Sequence, residues 1–233
     1  MKNPTVSIIC VCIVMCLMNA AFGGTWRDDF EDDKTNEWEI FNLVRQHEKW
    51  WTTDGVVVGE IFEDPFLSLW RTGEIDWEYY KVSCRVKLVV DRTQAPKVGL
   101  TLHDRGDEGS RYFFLIDFET DIATISKEVP GGGVLPGLYD VEKDTWYDIS
   151  AQVYDDGNLD FFINDTLVVG AFDPEPLDGG LAGLVVQNAQ AYFDNVEISG
   201  ENIDDGGPTK SFAVEPQQKL TTAWGNLKRN GDL

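Results

Sequence analysis

The segment YYKVSCRVKLVV alternates apolar and polar residues with a period of two. Val82, Cys84, Val86 and Leu88 fall on one face of an extended chain, and the lysines, arginine and serine between them fall on the other. A helix would repeat its apolar positions every three to four residues instead. The pattern therefore predicts a long strand with one face in a core and the other in solvent.

Residues 25–199 repeat this behaviour in short runs rich in Val, Ile, Phe, Tyr and Trp, and no helical period is found. Tight turns are predicted where Asp54-Gly55, Asp156-Gly157 and Asn164-Asp165 separate such runs. About fourteen strands without helical crossovers predict two packed antiparallel sheets. The predicted fold class is all-β, an antiparallel sandwich of two sheets.

The two ends of the chain differ from this middle part. Residues 1–24 combine one lysine, an apolar run and small residues near Ala21, which predicts a secretory signal peptide; an uncleaved anchor is the alternative. Residues 200–209 are rich in glycine and aspartate and predict a linker. Residues 210–233 form a tail with the short apolar motif KLTTAWGNLK, a docking or sorting peptide or a disordered terminus. No membrane span is expected after signal cleavage.

The net charge and the cysteine content limit the cellular locations and the partners that are expected for the protein. The chain has 41 acidic and 19 basic residues and a net charge of −22. Such a surface repels nucleic acid and anionic membranes, and it suits an extracellular or periplasmic protein. Cys10, Cys12 and Cys16 leave with the signal, so Cys84 has no partner for a disulfide in the mature chain.

At this point the chain resembles a known group of domains. The segments WRDDFEDDKTNEWEI, WWTTDGVVVGE, YYKVSCRVKL, RYFFLIDFET and AYFDNVEIS are similar, in their order and spacing, to the laminin-G-like and concanavalin A-like domains of secreted bacterial proteins. The resemblance implies a jelly-roll sandwich of the concanavalin A type and an extracellular role. It does not by itself imply an activity, because one fold hosts many functions.

Some proteins that the chain resembles are glycosidases, which carry a catalytic carboxylate motif. Glu74-Ile75-Asp76-Trp77-Glu78 matches the Glu-x-Asp-x-Glu pattern of family 16 glycoside hydrolases, but it precedes the long strand that the catalytic motif follows. In the matching place the chain has Leu115, Asp117 and Glu119, so the first carboxylate is replaced by leucine. Asp117 and Glu119 are thus weak catalytic candidates, and we assign no catalytic residue.

A second group of enzymes resembles the chain. The 3-keto-disaccharide hydrolases have an Asn-Ser-Gly segment after the long strand, where this chain has KVGLTL. A hydrolase acting on glycosidic bonds is therefore the first alternative to a binding module. A structural or adhesive surface protein is the second alternative.

The resemblance also implies a calcium ion that joins the first strand to the last. The matching residues are Asp29 in RDDF and Asp194 in YFDNVE, which a sandwich would bring together. Ca²⁺ prefers carboxylate and carbonyl oxygens, and both residues supply them. The alternative is that Asp194 only begins a turn.

Carbohydrate is the expected partner. Sugar sites combine aromatic rings with a few polar groups that hold hydroxyls. Arg111 and Asp117, six residues apart, are expected to share one face of a strand, where they bind a polar ligand or form a solvated ion pair. The sequence thus predicts a secreted, non-catalytic glycan-binding module. Its predicted ligand-binding residues are Trp51, Trp70, Trp77, His103, Arg111 and Asp117.

Overall fold

A computed structural model describes residues 23–41, 48–62, 67–91, 95–106, 110–128 and 133–208. These residues form strands and turns only, and no helix capable of crossing a membrane occurs among them. The strands are β1 (Gly24–Asp28), β2 (Glu39–Phe41), β3 (Lys49–Thr53), β4 (Val56–Ile61), β5 (Leu67–Thr72), β6 (Lys81–Asp91), β7 (Lys97–Asp104), β8 (Tyr112–Asp117), β9 (Ile122–Lys127), β10 (Val134–Leu138), β11 (Tyr147–Val153), β12 (Asn158–Ile163), β13 (Thr166–Phe172), β14 (Leu181–Gln187) and β15 (Ala189–Gly200).

The strands form two antiparallel sheets. The eight-stranded sheet has the order β13-β12-β11-β6-β15-β4-β3, and β1 pairs with β15. The seven-stranded sheet has the order β10-β9-β8-β7-β14-β5-β2. Strands that are distant in the sequence lie side by side, which is the topology of a jelly roll. The all-β, two-sheet prediction is confirmed.

One hydrophobic core fills the space between the sheets. Val82, Cys84, Val86 and Leu88 of β6 all point into it, as their alternation predicts. Near β5 the core is aromatic, because Trp70 stacks between the rings of Trp38 at 4.5 Å and Trp50 at 5.4 Å. The indole N–H of Trp38 donates to buried Asp28 and that of Trp50 donates to Ser68, so both polar atoms are satisfied.

The last strand, β15, joins the parts of the eight-stranded sheet. It pairs with β6 on one side and with β4 on the other, and its C-terminal half pairs with β1. A register shift between Asp194 and Glu197 lets one strand serve these partners. The first strand of the sandwich, β1, is therefore held in place by the last strand, β15.

Residues 200–208, expected to be a linker, pack against β1. The Ile203 carbonyl accepts a hydrogen bond from Gly24, and the Gly206 carbonyl accepts one from Arg27. The Ile203 side chain is buried in the core. The sandwich thus extends to residue 208; the predicted signal peptide, up to residue 22, and the tail from residue 209 lie outside the described residues.

Several aspartates of the chain order its turns. Among the described residues, seven aspartate side chains accept a hydrogen bond from the backbone N–H two residues later, the arrangement of an Asx turn. These aspartates are Asp28, Asp29, Asp32, Asp104, Asp117, Asp156 and Asp173. Part of the acidic content of the chain is therefore used to form the tight turns between its strands.

Cys84 is a buried core residue. It lies within β6, and burial raises the pKa of its thiol far above the ordinary value. A thiol of this kind is an inert packing group.

The aromatic stack makes a first prediction. Trp70→Ala removes the central ring and should lower the free energy of unfolding by about 3 to 5 kcal/mol, because a large buried side chain leaves a cavity. Denaturant unfolding measures this difference. Trp51→Ala, at a more exposed position, is the matched control and should cost about 1 kcal/mol or less. Equal losses for the two variants would contradict the assignment of Trp70 to the core.

Candidate functional site

The six residues predicted to bind a ligand do not come together. Trp70 lies in the core stack described above. Trp77 is also buried, where it packs edge-on against Tyr80 and covers Gly73, whose added Cβ would come within 2.4 Å of the indole ring. These two tryptophans are core residues, and their expected contact with a ligand is corrected here.

His103 is the third residue that the structure places inside the sandwich. Its side chain is fully buried beside Tyr80 and Tyr112, and its Nδ1 lies 2.9 Å from the Leu177 carbonyl oxygen. A carbonyl oxygen can only accept, so Nδ1 carries the proton and donates a hydrogen bond to that oxygen. Burial lowers the pKa of His103 to about 4, so the ring is neutral near pH 7. His103 holds the 173–180 loop rather than a ligand.

Arg111 lies on the outer face of the seven-stranded sheet, within an ionic network. Its Nε is 2.7 Å from Glu128 Oε2 and 3.6 Å from Asp104 Oδ1. Asp104 also pairs with Arg71 at 3.2 Å, and both guanidinium groups stack on the Phe41 ring. Arg111 and Asp104 are fully buried. The charges of the network are thus paired with one another.

The weak catalytic candidates have structural partners. Asp117 shares the outer face with Arg111, as the spacing predicts, but it caps the turn after β8 by accepting from Glu119 N–H at 3.0 Å and from Thr120 N–H at 3.2 Å. It also pairs with Lys97 at 3.7 Å. The Glu119 carboxylate accepts a hydrogen bond from the backbone of Ala95. These bonds order the loops at one end of the sheet.

The Glu74-Asp76-Glu78 motif lies in the turn between β5 and β6, not in a strand. Its carboxylates therefore lack the shared face that alternate strand positions would provide. The motif therefore lacks the arrangement of a strand-borne catalytic pair.

Trp51 is the remaining aromatic candidate, and it lies on the outer face of the eight-stranded sheet. The register places it opposite Val58, Val58 opposite Tyr192, and Tyr192 opposite Lys87. Trp146 follows beside Lys87, since the next residue, Tyr147, pairs with Val86. We call this line the aromatic row; it consists of Trp51 on β3, Val58 on β4, Tyr192 on β15, Lys87 on β6, and Trp146, the residue that precedes β11.

The spacing of the aromatic row follows from sheet geometry. One strand lies between the backbone positions of neighbouring rings, so these positions are about 9 to 10 Å apart. Trp51 is 36% exposed, and Tyr192 and Trp146 are half-buried. Val58 between two of the rings is fully buried although it is on the outer face. The accessible apolar surface of the row therefore comes from its rings.

Polar groups border the aromatic row on both sides. On one side Glu60 accepts from Gln190 at 2.8 Å and pairs with Lys49 at 3.3 Å. On the other side Arg85 pairs with Asp194 at 3.5 Å and with Asp148 at 3.7 Å. A depression of about 310 Å³ beside Arg85 continues the surface along β6 and β11. Apolar rings between hydrogen-bonding groups are the general form of a sugar site.

Sequence reasoning missed most of this row. Lys87 was placed on the polar face of the long strand, but nothing linked it to Tyr192 or Trp146. The link is the pairing of β15 with β6, which joins residues more than 100 positions apart. A weak signal did exist, because Tyr192 alternates with buried Ala191 and Phe193 and so had to face outward.

The proposed calcium residues are brought near one another by the pairing of β1 with β15. Burial raises the pKa of the Asp194 carboxyl, Arg85 opposes this, and repulsion by Glu31 and Asp29 adds to the rise. The described residues nevertheless contain no group of three or more acidic, histidine or cysteine side chains arranged to hold a metal ion. Calcium therefore stays a prediction.

No protein-family model and no curated protein sequence matches the chain. Solved structures do match in fold. A carbohydrate-binding module, CBM66, from Bacillus subtilis is 17% identical with a TM-score of 0.59, and the match covers 70% of this chain and 96% of that one. A β-glucanase from Bacillus licheniformis is 10% identical with a TM-score of 0.59, covering 76% and 99%.

The fold is a concanavalin A-like jelly roll. A galectin-like protein of unknown function from Bacillus subtilis agrees, with 13% identity, a TM-score of 0.56 and coverage of 76% of this chain and 96% of that one. At such identities the similarity shows the fold and does not assign an activity.

His103 makes a prediction about pH. Its pKa is about 4 in the folded protein and about 6.5 when unfolded, so the unfolded chain binds more protons between these values. The free energy of unfolding should fall as the pH drops from 6.5 to 4. His103→Asn keeps a donor for the Leu177 carbonyl and removes this titration. The difference between wild type and variant, measured by denaturant unfolding, should change by on the order of 3 kcal/mol across that window. A constant difference would contradict a buried neutral histidine.

Calcium is tested by thermal melting. If an ion binds Asp29 and Asp194 in the native state, added Ca²⁺ should raise the melting temperature and a chelator should lower it, because a ligand of the folded state stabilises that state. Asp194→Asn should remove most of the response. An unchanged melting temperature on chelation would exclude the ion.

Proposed function

We propose that this domain is a secreted, non-catalytic module that binds a glycan through the aromatic row. The observation that carries the proposal is the placement of Trp51, Tyr192 and Trp146, the last directly before β11, along one outer sheet face with one strand between neighbouring rings. Rings held in this way offer partly exposed aromatic surface to an extended ligand without further ordering of the backbone. Preorganisation of this kind favours affinity.

The ligand that fits such a row is a chain of sugar rings. A pyranose has an apolar face that stacks on an aromatic side chain, and its hydroxyls need hydrogen-bonding partners at the sides. The backbone positions of neighbouring rings are about 9 to 10 Å apart, which matches the length of a disaccharide unit in an extended polysaccharide. Glu60, Gln190, Arg85 and Asp148 border the row and supply donors and acceptors.

The residues on the outer face of the seven-stranded sheet favour binding over hydrolysis. On the strand that matches the catalytic strand of the glycosidases, Leu115 belongs to a small apolar cluster on the outer face with Leu69, Phe113 and Val185. Asp117 caps a turn and Glu119 holds a backbone N–H. A retaining mechanism needs two carboxyl groups about 5 to 5.5 Å apart around the scissile bond, and Leu115 cannot supply one of them.

Two further points support the proposal. Similar folds include a carbohydrate-binding module and a β-glucanase. The amino-terminal sequence, with its apolar run and small residues, predicts export, and a net charge of −22 suits an extracellular setting.

A glycan array followed by affinity measurement tests the proposal. We expect saturable binding of a polysaccharide, and Trp51→Ala or Tyr192→Ala should weaken it about tenfold, because loss of one stacked ring removes about 1 to 1.5 kcal/mol of interaction. Phe172→Ala is the matched control, since Phe172 is an equally aromatic and more exposed residue on the edge strand β13. Its affinity should equal that of the wild type.

Two outcomes would overturn the proposal. One is the absence of binding to any glycan on a broad array by protein shown to be folded. The other is turnover of the bound glycan that disappears in Asp117→Asn or Glu119→Gln, which would establish the hydrolase alternative.

A further inference from the structure

We infer that the glycan bound by the aromatic row is acidic, with a carboxylate or sulfate group that contacts Lys87. This inference rests on the proposed function and specifies its ligand. The shared chemistry is an anionic substituent on alternate sugars, supplied by a uronic acid or by a sulfate ester.

Lys87 occupies a central position in the aromatic row. Its Nζ is 4.9 Å from the centre of the Trp146 ring and 5.1 Å from that of the Tyr192 ring. Contacts with two ring faces are favourable for an ammonium group and hold it between the rings. The charge is therefore fixed at the level of the surface on which sugars would stack.

The carboxylates around the row already have partners of their own. Asp194 and Asp148 both pair with Arg85, and Glu60 pairs with Lys49 and accepts from Gln190. Among the ion pairs between described residues, none includes Lys87. Lys87 therefore forms no ion pair with these acidic groups, two of which share the single guanidinium of Arg85.

This arrangement is unusual for the composition of the chain. Acidic residues outnumber basic ones by 41 to 19, yet the cation in the aromatic row is held by rings. The general repulsion between an acidic protein and an acidic polymer is screened over about 8 to 10 Å at physiological salt. Contacts at the row itself then decide the preference, and a short charge-assisted hydrogen bond to Lys87 is the strongest polar contact it offers.

The geometry also defines where the acidic group must lie. Tyr192, on β15, and Trp146, directly before β11, lie to either side of Lys87. A polysaccharide that stacks alternate sugars on these two rings passes its intervening sugar over the lysine. An acidic substituent on that sugar can reach Nζ, whereas a neutral sugar offers only a hydroxyl.

The experiment compares matched polymers. Polygalacturonate and its carboxyl-reduced form provide a uronate pair, and κ-carrageenan and its desulfated form provide a sulfate pair. Wild-type protein should bind at least one acidic polymer about tenfold or more tightly than its neutral counterpart. Lys87→Gln should weaken binding of the acidic polymer about tenfold more than binding of the neutral one and so remove the preference, and Lys87→Arg should retain it. Which pair responds identifies the source of the anion.

Lys34→Gln controls for net charge. Lys34 is an exposed lysine that pairs with Asp32 away from the row, so this variant should keep the preference. Unchanged melting temperatures confirm that each variant is folded.

The outcomes separate the two proposals. Equal affinity for acidic and neutral polymers, or an equal loss on both in Lys87→Gln, would overturn the inference and leave glycan binding in place. Binding of neutral glycans through Trp51, with no binding of either acidic polymer, would do the same. Binding of the acidic polymer that Trp51→Ala and Tyr192→Ala do not weaken would instead exclude the aromatic row as the site.

Discussion

The pairing of β15 with three other strands is the constraint on which the rest of the structure depends. This strand lies between β6 and β4 and also pairs with β1, so it closes the eight-stranded sheet and joins the start of the domain to its end. Its inner residues, such as Phe193, complete the core. Its outer residue Tyr192 connects Trp51 with Lys87 and Trp146. One strand thus determines both the stability of the sandwich and the composition of its candidate binding surface.

The two outer faces differ in a way that matters for function. On the seven-stranded sheet, charged groups are matched to each other, and a small apolar cluster fills the space beside them. On the eight-stranded sheet, the rings of the aromatic row are partly accessible and are bordered by polar groups. The buried charges are paired with one another and are not accessible to a ligand. The half-buried rings, in contrast, leave part of their apolar surface exposed to one.

The domain reaches this fold without a disulfide among its described residues, since Cys84 is a free thiol in the core. Stability then depends on the continuous core and on well-made turns. The aspartates of the Asx turns, with Asp117 as one example, convert acidic residues into fixed connections between strands. Some of the acidic residues therefore serve to form turns. The positively charged side chain of Lys87, which contacts two rings and belongs to none of the ion pairs between described residues, contrasts with the acidic composition.

The sequence by itself determined most of the strands, their inward faces and the fold class, but β10 (Val134–Leu138) was not predicted. Alternation with a period of two is a local property, and residues such as Val82 and Leu88 express it without any knowledge of the neighbouring strands. The resemblance to concanavalin A-like domains rested on the order of such strands, and the structure confirms it. The unsuitability of Leu115 as a catalytic residue was likewise visible from its position in the chain.

Only the tertiary structure decided which exposed residues act together. Trp70, Trp77 and His103 have the composition of a binding site, but strand pairing and loop packing place them inside the sandwich. Trp51 and Trp146 are nearly 100 residues apart in the sequence, and they enter one row because β4, β15 and β6 lie between them. Local patterns define the face on which a side chain lies. The neighbours it meets there depend on long-range pairing, which no local pattern contains.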